Sequence, residues 1–261
     1  MLTLTDAIAS HEELRDRIAD TVHKEFQTNV YHLYALVLVK AFGYSFNTYK
    51  AIGHLLPDCF YEQGCALFRI LWEATLNLAW VTRQPTERSK LFLQFTVVEK
   101  RKFLRFQTAE ARRRRDAAAL AKAEAELRAF DETFDRILGE YRHSNRKGRG
   151  KLSPRFSGPS LEDVAREMGG EWAKEYRETY PLLCFYAHAS PGAVLFPNPV
   201  LENITIEAFD EYDHPRTVML ALWSMAVMER AYRMIWPLVG IDDSEYLGAL
   251  DARVQFRASL K

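Results

Sequence analysis

Apolar residues recur along this chain at spacings of three and four, the period of an α-helix, and no sustained apolar–polar alternation marks a strand. Asp6 to Gln27 reads as an amphipathic helix. Asn29 to Phe42 reads as a more buried one, broken at Gly43, and Ser45 is placed to cap a short helix ending near Pro57. An apolar helix follows from about Phe60 to Thr82, and Pro85 sits where the first turn of a new helix tolerates proline. Between Pro85 and Tyr141 there is no further proline, and the only glycine is Gly139. One unbroken helix over that span would be roughly 85 Å long. A hairpin is the other reading, because Arg112–Ala119 has few apolar anchors.

Residues 142–159 read as a basic loop by composition. Ser160-Leu161-Glu162-Asp163 resembles a capping box opening a short helix to Met168. Glu171 to Ala189 is helical with Pro181 inside it, and Pro191 closes it. Pro197 to Asp213 is irregular, Asp213 is placed to cap a helix from Pro215 to Trp236, and a last helix spans Asp243 to Ser259. These elements predict an all-α protein. It is one domain over 1–261, a bundle of about eight to ten helices, with 85–141 as a long basic helical arm or hairpin.

Within the apolar helix, CALFRILWEATLNLAW carries Arg69, Glu73 and Asn77 at spacings of four, one stripe of a helix. Leu67, Phe68, Ile70, Leu71, Trp72, Leu76, Leu78 and Val81 occupy nearly every other direction, as in a buried helix. Charges on such a helix must meet partners or a wet cleft. Arg69 and Glu73 either form a packing ion pair with each other or hold an anion, with Glu73 orienting a base. A second stretch spaces Tyr176, Tyr180, Cys184 and His188 by four, with Ser190 just beyond. His188 near a helix C-terminus is favoured in its charged form and suits a general acid or base. A core histidine bonded to a backbone carbonyl is the structural alternative. Cys184 is a nucleophile only if exposed with a lowered pKa.

The segments RILWEATLNLAW, SLEDVAREM and YRETYPLLCFYAHAS, preceded by KAF and AIGHLL, resemble domain-of-unknown-function family 5677, bacterial helical proteins without an assigned reaction. Those proteins look like R-(apolar)-(apolar)-x-E-x-x-x-N on one helix and Y-x-x-L-S-x-x-x-H-x-S on a later one. The resemblance runs from about Val39 to Ser190. It implies that Arg69, Glu73, Asn77, Tyr180 and His188 stand at the family's characteristic positions. Cys184 replaces its usual serine, and Ala189 precedes Ser190.

Composition narrows the function classes. Lys and Arg together balance Asp and Glu, 35 against 35, so global charge names no partner. The charges are unevenly placed, however. Lys100, Arg101, Lys102, Arg105 and Arg112–Arg115 are joined in the loop by Arg142, Arg146, Lys147, Arg149, Lys151 and Arg155, while 202–213 is acidic. Such runs attract phosphate backbones, or form a solvated face, or dock on an acidic segment of a second subunit. Three cysteines without a C-x-x-C pair fit neither a disulfide framework nor a zinc ribbon. No apolar stretch is long enough to span a bilayer and the N-terminus is charged, so a cytoplasmic, non-membrane protein is expected. There is no phosphate-binding glycine loop, G-x-S-x-G or H-E-x-x-H, and neither metal nor cofactor is expected. Asp210, Glu211, Asp213 and His214 could attract a metal, but Asp213 is better explained as a helix cap.

Two readings follow. In the first the protein is a ribonuclease-like toxin or antiviral-defence effector. Arg69, Glu73, His188 and Tyr180 are its catalytic group, and Asn77, Tyr176, Ser190, Arg142, Arg146 and Lys147 bind nucleic acid. The Arg-x(four to six)-His signature of small helical ribonuclease toxins occurs here as Arg17…His23 and Arg136…His143, about as often as chance provides, so convergence of Arg69 with His188 in space is the form to look for. In the second it is a non-catalytic interaction module whose polar network fixes packing. A homodimer is expected under either, because an arm of that length would expose its Phe and Leu residues.

Overall fold

The computed structural model describes residues 3–25, 33–141, 155–188 and 214–235. Among them nine helices form and no strand: α1 (Leu4–Glu25), α2 (Leu33–Leu55), α3 (Tyr61–Arg83), α4 (Pro85–Arg114), α5 (Ala117–Glu140), α6 (Leu161–Met168), α7 (Gly170–Glu178), α8 (Tyr180–Ala187) and α9 (His214–Ile235). The fold is all-α, as the periodicity predicts. The expected helix at 243–259, the irregular stretch 197–213 and most of the basic loop lie outside the described residues. The chain divides into two compact units, Met1–Arg83 with Leu161–Lys261, and Gln84–Ser160.

In the first unit α1 opens on a reciprocal cap. Thr3 Oγ1 accepts the Asp6 N–H at 3.2 Å, and Asp6 Oδ2 accepts the Thr3 N–H at 3.0 Å. That satisfies two otherwise orphaned donors, with Asp in place of the usual Glu. The expected break at Gly43 does not occur. Helix α2 runs through it, and Ser45 is an interior residue whose hydroxyl donates to the Ala41 carbonyl at 3.2 Å. One glycine costs a helix only about 1 kcal/mol. Buried Leu38, Phe42, Tyr49 and Ile52 along α2 outweigh that.

Helix α3 is the centre of this unit and packs against α2, α6, α8 and α9. Phe68, Leu71, Trp72, Leu76, Leu78, Trp80 and Val81 are buried, while Ile70 is exposed. Gly64 is where α9 comes closest, for a Cβ at that position would run into Leu220 Cδ2. Gly64→Ala is therefore expected to destabilise the unit by about 1–2 kcal/mol, overpacking exceeding the gain in helix propensity. Urea unfolding would show this. A second change, Leu220→Ala, should make the Gly64 substitution close to neutral.

His11 is buried on α1, stacked on Tyr49 with ring centroids 3.8 Å apart, and a Cβ on Gly53 would meet its Cε1 at 2.8 Å. Its Nε2 has no hydrogen-bond partner. Burial, reinforced by the Arg15 charge, pushes its pKa down to about 3. An unfolded histidine titrates near 6.5, so the unfolded chain takes up the proton first. The folded state keeps this contribution above about pH 6.5 and loses it as pH falls towards 3. At pH 5 the loss is about 2 kcal/mol relative to pH 7. Denaturant titrations at the two pH values should show it, and His11→Phe should remove that part of the difference.

The second unit settles the alternative left open by the sequence: 85–141 is a helical hairpin. Arg115 takes the left-handed conformation, with φ 57°, and ends α4. Asp116 then caps α5, its carboxylate accepting the Ala119 N–H at 2.9 Å. The hairpin has its own core of Phe95, Val98, Leu138 and Tyr141, with Leu91, Phe134, Ile137 and Phe156 against it. Tyr141 donates to the Leu91 carbonyl at 2.7 Å, and Arg101 forks onto Asp131 at 2.6 and 2.7 Å. Three members of the Arg112–Arg115 run pair in place with two carboxylates. Arg113 and Arg114 both pair with Glu110, at 2.7 and 2.8 Å, and Arg112 pairs with Glu124 at 3.0 Å. The hydrogen bonds from Arg113 and Arg114 hold the Glu110 carboxyl down to about 2.

Candidate functional site

The stripe on α3 and the α7–α8 segment meet. The predicted helix over 171–189 is two helices that join at Thr179, because Pro181 lacks the N–H that an unbroken helix needs and sits instead in the first turn of α8. The join places Tyr180 at the head of α8 and His188 at its end, both beside α3.

Arg69 is the hub. Its Nε donates to Glu73 Oε1 at 2.9 Å, its Nη2 donates to the Tyr180 hydroxyl at 3.2 Å, and its Nη1 lies 2.8 Å from His188 Nε2. The Tyr180 hydroxyl in turn donates to Glu73 Oε1 at 2.7 Å. A guanidinium has no lone pair, so His188 Nε2 must be the acceptor and the imidazole proton resides on Nδ1.

The side chains of Arg69 and Glu73 are 19% and 27% exposed, and His188 is exposed. The group therefore opens to solvent on the histidine side. Three of the five Arg69 N–H donors are engaged within the cluster, which leaves two for an incoming anion. Burial and the hydrogen bond to Glu73 push the Tyr180 phenol up, well above the usual tyrosine range. It stays protonated and serves as a donor, not a base. Burial works against the Arg69 charge, but Tyr180 and Glu73 outweigh it and the guanidinium is held more firmly protonated than usual.

Behind the cluster lies a second network that the sequence did not disclose. Glu175 on α7 accepts from Trp72 Nε1 at 2.7 Å and from Arg230 Nη2 on α9 at 2.7 Å. Arg230 also lies over the Trp172 ring at 4.3 Å. Trp72 sits between the two groups, 5.2 Å from the Tyr180 ring and 5.7 Å from Trp172. Tyr176 stacks on Tyr180 at 5.1 Å. Trp172, Glu175 and Tyr176 share a face of α7, which a helical reading could have found. Arg230 carries no local signal, being a single arginine on a distant helix.

Of the other predicted residues, Asn77 is half-buried further along the stripe and makes no hydrogen bond to the cluster among the described residues. Cys184 is a half-buried free thiol one turn before His188. Ser190, Arg142, Arg146 and Lys147 lie outside the described residues. Among the described residues no group of three or more His, Cys, Asp and Glu side chains could hold a metal ion. No helix among them is long and apolar enough to cross a membrane.

The model of DUF5677, a family of unknown function, matches residues 35–196, more than half the chain. The chain belongs to DUF5677. No curated protein and no solved structure matches it. The matched span includes Arg69, Glu73, Tyr180 and His188 and the whole hairpin, while α1 and α9 fall outside it. Arg230 thus reaches the DUF5677 region from beyond the match and braces it through Glu175.

Proposed function

We propose that Arg69, Glu73, Tyr180 and His188 form a ribonuclease-like site that cleaves RNA without a metal. The supporting observation is the 2.8 Å approach of Arg69 Nη1 to Nε2 of the exposed His188. Cleavage next to a ribose needs a base for the 2′-hydroxyl and a cation for the charge that develops on phosphorus oxygens. When a phosphoryl oxygen takes over the Arg69 Nη1 donor, the His188 Nε2 lone pair is freed to take the 2′-hydroxyl proton, the 2′-oxygen bonds to the adjacent phosphorus, and the bond to the 5′-oxygen breaks. That oxygen takes a proton from water. The free N–H donors of Arg69 face the phosphoryl oxygens, and Glu73 and Tyr180 hold the guanidinium in place. Such a cut suits an effector of the toxin or antiviral-defence kind.

The test is incubation of generic single-stranded RNA with the wild-type protein and with His188→Ala, in the presence of a chelator. Products ending in 2′,3′-cyclic phosphate, and resistance of a 2′-deoxy substrate, are the expected result. Intact RNA with wild-type protein across RNAs of varied sequence would sink the reading.

A second reading rests on a different observation. The Arg69–Glu73–Tyr180 triangle is closed on itself, each member hydrogen-bonded to the other two. That favours a packing device in a non-catalytic interaction module. Under it, substitutions in the triangle cost stability and no cleavage is found with any RNA.

A further inference from the structure

The exposed face of α4 carries two large apolar side chains, Phe103 at 50% and Phe106 at 64% exposure. They are one turn apart and so project on the same side of the helix, about 4.5 Å apart along its axis. The arginines that dominate the charge of this region in the sequence are not its free cations. Arg101 is held by Asp131, Arg112 by Glu124, and Arg113 and Arg114 by Glu110. The cations next to the two rings in sequence are Lys100, Lys102 and Arg105, which make no ion pair among the described residues, and Lys102 Nζ lies over the Phe95 ring at 5.0 Å. Lys100 Nζ lies over the Phe103 ring at 5.3 Å. Against these three positive charges stands Glu99, one turn before Phe103.

We propose that this face of α4 binds single-stranded nucleic acid, with Phe103 and Phe106 stacking on bases and Lys100, Lys102 and Arg105 meeting phosphates. Two exposed rings interleaved with unneutralised cations match both halves of a nucleotide chain. The rings accept any base face, and the cations follow the backbone without reading sequence. An acidic segment would match the cations but not the two exposed rings. Duplex would match the cations too, but its bases are already stacked. The choice of nucleic acid rests on the ribonuclease reading, and the surface itself rests on the hairpin's own residues.

The experiment is fluorescence anisotropy of a labelled 20-nucleotide oligouridylate. It is carried out with full-length His188→Ala protein, so that binding is read without cleavage and the two readings fail separately. Stacking is worth enough per base that Phe103→Ala with Phe106→Ala should weaken binding about a hundred-fold, with the salt dependence unchanged. Phe103→Trp with Phe106→Trp should retain binding. Lys100→Gln, Lys102→Gln and Arg105→Gln together should lower the slope of log affinity against log salt by about 2. Circular dichroism should be unaltered in all three, because every substituted side chain is exposed. Absence of binding at low salt, or full affinity in the double alanine variant, would overturn the proposal. So would equal affinity for duplex RNA. If the double alanine variant loses self-association in sedimentation and keeps its RNA affinity, the face belongs to a second copy. If it loses only co-sedimentation with vesicles of anionic lipid, the face belongs to a membrane surface.

Discussion

His188→Ala is expected to lower RNA cleavage by about 10²–10⁴-fold, the usual contribution of a positioned general base. It should leave the melting temperature within about 3 °C of wild type. The two readouts separate because His188 lies at the exposed end of α8, hydrogen-bonded to Arg69. Removing an exposed ring forfeits that hydrogen bond, worth about 1 kcal/mol. His188→Gln sharpens the test. An amide oxygen can still accept from Arg69, but it cannot take a proton from a hydroxyl, so stability should recover while cleavage does not. Equal cleavage rates in wild-type and His188→Ala protein would transfer the activity to another group or to a contaminant.

Glu73→Ala should produce the opposite pattern in its first readout, a loss of about 3 kcal/mol of stability. Glu73 is the common acceptor for Arg69 Nε and the Tyr180 hydroxyl. Its removal leaves a guanidinium and a phenol without their acceptor in a site that is about three-quarters buried. Breaking a buried ion pair costs about 3–5 kcal/mol, and the partial exposure here places the expectation at the lower end. In a unit of this size that is a fall in melting temperature of roughly 6–12 °C. Tyr180→Phe should cost less, about 1 kcal/mol, since Arg69 and Glu73 still hold each other. The two changes should be strongly non-additive, because both remove the same 2.7 Å bond. Differential scanning calorimetry of the two single variants and the double variant would decide it. Additive losses, or a shift below about 2 °C for Glu73→Ala, would mean that the triangle does not hold this part of the fold together. Stability alone does not separate the two functional readings. Glu73→Ala and His188→Ala together do, since only a catalytic site lets the second variant lose activity while keeping its stability.

The helices were legible where periodicity was strong and locally supported. Helix α3 was placed almost to its ends, and the four-residue spacing of Arg69 and Glu73 offered their pairing as one of two alternatives, because both facts depend only on positions along one helix. The same spacing placed Tyr176, Tyr180 and His188 on a common side, even though the chain breaks at Thr179. One local signal misled. Gly43 read as a stop, yet its cost is small beside the apolar surface that α2 buries on either side of it. Arg112–Arg115 read as a run for phosphate, a solvated face or a docking arm, and three of its four members pair in place with Glu110 and Glu124. Glu110 lies within one helical turn, so that part was visible in the sequence. Glu124 lies across the hairpin turn and was not.

The sequence by itself therefore determined the helical class, the apolar character of α3 and the polar stripe that a buried helix must satisfy. Each follows from a repeat of three to four residues and from the cost of burying an unpartnered charge. Only the tertiary structure decided what satisfies that stripe. Arg69 and His188 are 119 residues apart in the chain and 2.8 Å apart in space. Arg230 comes to Glu175 from a helix outside the DUF5677 match altogether. Which residues meet across helices is set by how side chains pack into one another's grooves, a relation between distant segments that no local pattern of residues encodes.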